Sequence, residues 1–229
     1  MNGSATLKAE GVTRWYANGS APTVGCSDVS LVASAPELVV LLGPSGSGKT
    51  TLLTLIAGLI APSRGTIEIE GTQIDALSSH ERQRFRAAHV GILFQSFNLL
   101  SVMTAVENIE FALRCAGRRR PESLDRAEAL LGSLGLTHLG DRYPDHMSHG
   151  EQQRVAMLRA MVNQPGLLLA DEPTASLDST SALSVIDMLR EYAHSRPAVV
   201  LVSTHDLRIA QQADRVISLR DGKVARPEG

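Results

Sequence analysis

The sequence predicts an α/β fold: a parallel sheet with helices on both faces and a helical segment inserted in its middle. Three observations carry this. Residues 38–42, 167–170 and 199–202 are unbroken apolar runs (Leu-Val-Val-Leu-Leu, Leu-Leu-Leu-Ala and Val-Val-Leu-Val). Runs without polar alternation suit strands covered on both faces, as in a parallel sheet. Stretches with helical spacing separate the strands, and from Ser96 to Val162 the pattern is nearly all helical. The predicted division is one unit, 1–229. Residues 1–95 and 163–229 form its α/β core and 96–162 its helical part.

In chain order the predicted strands are 7–12, 38–42, 66–70, 90–94, 167–170, 199–203 and 216–219, all short and rich in Leu, Val or Ile. The predicted helices are 49–58, 79–86, 105–114, 122–134, 151–162, 179–194 and 207–213. Ser78 with Glu81, and Thr104 with Glu107, match the capping box, a hydroxyl at the cap and a carboxylate three residues on. Leu183, Ile186, Leu189 and Ala193 read as the buried stripe of one helix. Arg118-Arg119-Arg120 before Pro121 reads as a charge run in a solvated turn.

Composition excludes several classes. The 229 residues are 43% apolar and 20% charged, which rules out whole-chain disorder. The longest nearly apolar stretch, 52–61, contains Thr54 and Gly58 and stops at Pro62. It falls short of the roughly 20 residues that a spanning helix needs. The start, MNGSATLKAE, has no basic and then apolar run, so a cytoplasmic protein is expected. A net charge of −2 and 3% aromatics supply neither a polyanion field nor a base-stacking platform, so no nucleic-acid partner is expected. Cys26 and Cys115 are isolated, without zinc spacing, and suit a reducing compartment.

Gly43-Pro44-Ser45-Gly46-Ser47-Gly48-Lys49-Thr50 fits G-x-x-x-x-G-K-S/T between an apolar strand and a helix. Glycines let backbone N–H groups turn inward around a polyphosphate, and the helix N-terminus adds partial positive charge. Lys49 is placed for the β- and γ-phosphates and Thr50 for Mg²⁺. On its own the motif says nucleotide binder, since kinases, GTPases and motors share it. Strand 167–170 ends in Asp171-Glu172. Asp171 is placed to hold Mg²⁺ and Glu172 to act as a base on water facing the γ-phosphate.

Further elements narrow the family. Gln95 follows strand 90–94, and Met147-Ser148-His149-Gly150-Glu151-Gln152-Gln153-Arg154 opens a helix. Ser176-Leu177-Asp178 follows Glu172, and His205 ends strand 199–203. With the phosphate loop and Asp171-Glu172, this order resembles the ATP-binding cassette (ABC) ATPases over nearly the whole chain. The stretches 94–100, 104–108 and 170–174 look like the lipoprotein-release and macrolide-export branch. The resemblance implies the P-loop ABC ATPase fold, with a RecA-like core, an antiparallel β subdomain and an inserted helical subdomain. It implies ATP and Mg²⁺ as ligands and a phosphate site that runs on to Thr51. Gln95 would touch Mg²⁺ or the attacking water. Ser148, Gly150 and Glu151 would belong to a signature binding the γ-phosphate of ATP held by a second copy. Asp178 would sit at the dimer seam, and His205 would hold the γ-phosphate. Tyr16 would stack on adenine, although Trp15 could also serve.

The family signature usually has glycine where this chain has His149. The site is still expected to work, because Ser148 and Gly150 are kept. A His149→Gly variant faster by orders of magnitude would contradict that. His146 and His149, three apart, offer only two ligands for a metal. By the same resemblance, the chain is a transporter motor that acts peripherally on the cytoplasmic face of the membrane. Its permease is a separate membrane subunit, docked near residues 97–100. The second reading is a regulator of cell division or wall remodelling that drives a membrane partner without moving cargo.

Overall fold

The computed structural model describes residues 6–18, 21–175, 177 and 179–225. The parallel sheet contains β3 (Glu37–Leu42), β6 (Val90–Leu93), β7 (Leu167–Asp171), β8 (Val199–Thr204) and β9 (Arg215–Arg220). A short β10 (Lys223–Val224) adds antiparallel to β9, giving the order β10-β9-β3-β8-β7-β6. A second, antiparallel sheet has the order β2-β1-β4-β5, from β1 (Leu7–Asn18), β2 (Ala21–Ala33), β4 (Arg64–Ile69) and β5 (Thr72–Gln73).

The apolar runs are buried on both faces, as their lack of alternation requires. Val39 and Leu41 of β3, Leu167 and Leu169 of β7, and Val199 and Leu201 of β8 face one core. That core is shared with the antiparallel sheet and with α1 (Lys49–Ile56). The alternate residues, Leu38, Val40, Leu168, Ala170, Val200 and Val202, face a second core. There they meet α5 (His149–Met161) and α6 (Ser179–Ser195). Each buried Leu or Val contributes roughly 1.5–3 kcal/mol, so the middle of this sheet is the rigid part of the molecule.

Between β6 and β7 the chain is helical. A third core joins α3 (Ala105–Cys115), α4 (Arg120–Ser133) and α5 through Ile109, Leu113, Ala127, Leu131, Val155 and Leu158. Both predicted capping boxes form, Thr104 with Glu107 on α3 and Ser78 with Glu81 on α2 (Ser79–His89). The last helix, α7 (Leu207–Ala210), is shorter than the predicted 207–213.

Four expectations need correction. The long β2 was absent from the sequence reading, and β1 runs past residue 12. Register shifts between Ala9 and Val12, Val12 and Arg14, and Arg14 and Trp15 break the period of two there. Asp28, with φ 53°, breaks it in β2. Arg120 does not lie in a turn but opens α4, because Pro121 is tolerated in a first helical turn. Helix α5 starts at His149, not at Glu151, since Ser148 caps it. Leu183 is 41% exposed, and the buried stripe of α6 is Ala182, Val185, Ile186, Leu189 and Ala193.

The parallel register positions the chemistry. Leu42 pairs with Thr204, Ser203 with Asp171, and Leu93 with Ala170. The C-terminal ends of β3, β8, β7 and β6 therefore open at one edge, where α/β sheets bind ligands.

Candidate functional site

The loop after β3 is held in shape by its own backbone and its neighbours. Gly43 N donates to Thr204 O at 3.2 Å and Ser47 N to Pro44 O at 3.2 Å. Gly48 has φ 97° and caps α1; a Cβ there would run into the Gly25 carbonyl. Glycine alone satisfies both demands. Lys49 is 5% exposed. Its Nζ donates to Gly43 O at 2.7 Å and Pro44 O at 3.1 Å, and lies 3.3 Å from Glu172 Oε1.

Glu172 is gripped from two sides, because His205 Nδ1 lies 3.0 Å from Oε2. Its backbone is left-handed, with φ 45°, and its N–H reaches Ser203 O and Ser203 Oγ, each at 3.1 Å. The turn after β7 thus aims the carboxylate between an ammonium and an imidazole. Asp171 Oδ1 accepts from Ser203 Oγ at 2.5 Å and from Thr50 Oγ1 at 3.2 Å.

These groups surround a cleft of about 440 Å³. Of the predicted residues, Tyr16, Ser45, Gly46, Gly48, Lys49, Thr50, Thr51, Gln95, Glu172 and His205 line it. Gly43, Pro44, Ser47 and Asp171 are not among its lining residues, but the first two hold Lys49 and Asp171 holds Thr50. Tyr16 is half-buried at the cleft, with the Arg14 guanidinium 5.2 Å from its ring centroid. Trp15 is not among the lining residues and packs under Arg64, 5.0 Å away. Asp178 falls outside the described residues.

The donor set suits a magnesium polyphosphate. Thr50 Oγ1 and Asp171 Oδ1 are hard oxygens side by side, the kind Mg²⁺ prefers. Ser47 Oγ, in the phosphate loop, is one of the buried side-chain atoms that have no hydrogen-bond partner among the described residues.

Ser148, Gly150 and Glu151 are not part of this cleft. They form the N-terminus of α5, which is exposed and closed on itself. Ser148 Oγ accepts from Glu151 N at 3.3 Å and donates to Glu151 Oε2 at 2.8 Å, while Ser148 N donates to the same oxygen at 2.7 Å. The Ser148 N–H, then its hydroxyl, hold the Glu151 carboxyl below the usual carboxylate range, with smaller help from Arg142 and His138. The His149 ring sits 4.7 Å from that of Phe97, tilted by 59°.

Sequence reasoning missed Ser203, which touches both acidic residues. Its signal was a hydroxyl near the end of an otherwise apolar strand. It also missed Arg159, whose guanidinium donates to Phe97 O and Asn98 O, both at 2.6 Å, just after Gln95.

Comparison with known proteins agrees with this geometry. The ABC transporter family model matches residues 26–175. The lipoprotein-releasing system ATP-binding protein LolD of Pseudomonas fluorescens is 39% identical over 222 residues, 97% of this chain and 98% of that protein. The macrolide export ATP-binding/permease protein MacB of Shewanella sp. is 38% identical over 225 residues, covering 98% of this chain but only 35% of that longer protein. The dimeric, post-hydrolysis ATP-binding cassette MJ0796 bound to ADP and Pi superposes with a TM-score of 0.89 at 34% identity, over 96% of this chain and 97% of that one.

Proposed function

The chain belongs to the ABC transporter family as an ATP-binding, ATP-hydrolysing subunit, and from that premise we propose how its residues share the work. Lys49, Gly46 and Gly48 bind and orient the phosphates in the cleft. Thr50 and Asp171, with Gln95 beside them, hold Mg²⁺, which neutralises phosphate charge when bound. Glu172 accepts a proton from water, and His205 keeps that carboxylate aimed while offering a donor to the γ-phosphate. Tyr16 supports adenine by stacking.

The observation that carries the reading is a separation. Four polar side chains, Lys49, Thr50, Glu172 and His205, line one cleft with Asp171 bonded to Thr50 beside it, while the anion-favouring terminus of α5 lies away from it. A second copy supplies that terminus. ATP closes the pair because its γ-phosphate meets both copies, and hydrolysis removes the shared contact. The helical segment 96–162 would turn that closure into work on a permease. Its contact is a groove of about 560 Å³ lined by Arg84, Phe94, Leu100, Phe111 and Arg159. The MacB relative carries ATP-binding and permease parts in one protein. Among the described residues here, no helix is long and apolar enough to cross a membrane. By its likeness to LolD, matched over 98% of that protein, the chain would sit on the cytoplasmic face through a separate permease, of the export or lipoprotein-extraction type.

Complementation tests the shared site. Lys49→Ala damages one half and Gly150→Asp puts a carboxylate into the other, where a Cβ meets nothing closer than 3.7 Å. Each variant alone should be inactive, and an equal mixture should recover ATPase activity. A mixture no more active than its parts would sink the proposal.

A further inference from the structure

Phe97 and Asn98, two and three residues beyond Gln95, both have left-handed backbone, φ 59° and 50°. Side chains with a Cβ adopt that conformation when outside contacts impose it. Here the contacts come from α5. Near the helix C-terminus, Arg159 donates to both carbonyls. From the first turn of the same helix, the His149 ring tilts onto the Phe97 ring, and Phe97 is buried with that cover in place. The two residues stand about 15 Å apart along the axis. One loop residue is therefore gripped by both ends of a helix, its carbonyl at one end and its ring at the other. The far side of the loop is tied separately, because Asn108 of α3 bonds Leu100 N and Leu100 O at 2.8 and 3.1 Å.

We propose that His149 is a positioning residue: its ring against Phe97 locks the first turn of α5 to the loop that carries Gln95. The helix end offered to a second copy's nucleotide and the glutamine in this copy's own cleft then move as one body. The inference rests on the shared-site reading above and deepens it. Without the ring contact, the α5 terminus can still meet phosphate, but its displacement passes to the Gln95 loop only through Arg159 at the far end of the helix, a weaker link. The loss therefore falls on turnover and spares nucleotide binding by the separate subunit, since no cleft-lining side chain changes.

The test uses His149→Ala and His149→Phe in the full chain, with melting curves to confirm that both fold. His149 is exposed, so neither change opens a cavity. The alanine variant should lose roughly two- to tenfold in kcat, the size of one aromatic contact, with ATP affinity unchanged. The phenylalanine variant, which keeps a ring, should recover to within about twofold of wild type. In a Phe97→Leu background, removing the histidine ring should cost markedly less than it does in the wild-type background. Three results would overturn the proposal: an alanine variant as fast as wild type, a phenylalanine variant as slow as alanine, or an undiminished loss in the Phe97→Leu background. Failure of the shared site itself reads out separately. A Glu172→Gln chain that stays monomeric in Mg-ATP overturns both ideas, whereas a dimer with no effect at His149 overturns this one alone.

Discussion

The cleft at the strand ends and the N-terminus of α5 are both built for anions, yet they are built in opposite ways. The cleft hangs on the middle of a parallel sheet whose side chains are buried on both faces. Its charged groups already hold one another: Lys49 with Glu172, Glu172 with His205, and Asp171 with Ser203 and Thr50. Lys49 must turn from Glu172 or a loop carbonyl to reach phosphate, but the loop, Thr50 and Asp171 around it are already in place, which is how a site gains strength from preorganisation. The α5 terminus is exposed, and its hydroxyl and N–H are spent on Glu151. To bind phosphate, it must trade a local partner for a distant one. On the proposed division of roles, the first half recognises nucleotide alone, and the second acts only when a partner brings nucleotide to it.

The largest effect expected from breaking this contrast is at Glu172. Glu172→Gln should lower steady-state ATP turnover by roughly 10²–10⁴-fold, the range for loss of a general base, while ATP binding survives. Lys49→Ala should instead weaken ATP binding by roughly 10- to 100-fold, as expected for lost charge-assisted hydrogen bonds, and titration with a fluorescent ATP analogue checks it. Unchanged affinity would remove Lys49 from its assigned role. Ser203→Ala should cost about 1–3 kcal/mol in a denaturation curve, because it strips a buried donor from Asp171 and an acceptor from the Glu172 N–H. It should also slow turnover, since both acidic residues lose their aim.

Ser148→Ala sharpens the contrast on its other side. It should cost about 1 kcal/mol of stability as a lost cap and abolish ATP-driven dimerisation, while leaving the affinity of the single subunit for ATP intact. The smallest effect is on pH. The Glu151 carboxyl is held below its ordinary value, so its contribution to the α5 cap is full above the ordinary carboxylate pKa. It is lost as the pH falls through the lowered one. The melting-temperature gap between wild type and Glu151→Gln should therefore narrow only in acid.

The two halves also differed in how far the sequence disclosed them. The phosphate loop and Asp171-Glu172 were legible because each follows an unbroken apolar run, and a strand buried on both faces cannot hide its pattern. Gln95, Ser148 and His205 were legible through family resemblance, since single polar residues carry no periodic signal. The side chain of Ser203 was not, because a hydroxyl inside a buried strand looks like any tolerated serine until the register sets it beside Asp171. The second half of β1 and all of β2 escaped because the bulges shift which residues face inward. The hold of Arg159 and His149 on Phe97 spans more than fifty residues and depends on two left-handed residues, which no local rule announces. Tyr16 and Trp15 looked alike in the sequence, and the strand separates them, with Tyr16 at the cleft and Trp15 turned to Arg64.

The central claim is that the site is complete only when two copies meet around ATP. The most direct measurement is the solution mass of Glu172→Gln, by light scattering with and without saturating Mg-ATP. The account predicts a monomer without nucleotide and a dimer with it, lost again when Ser148→Ala is added. A chain that binds ATP and stays monomeric would contradict it.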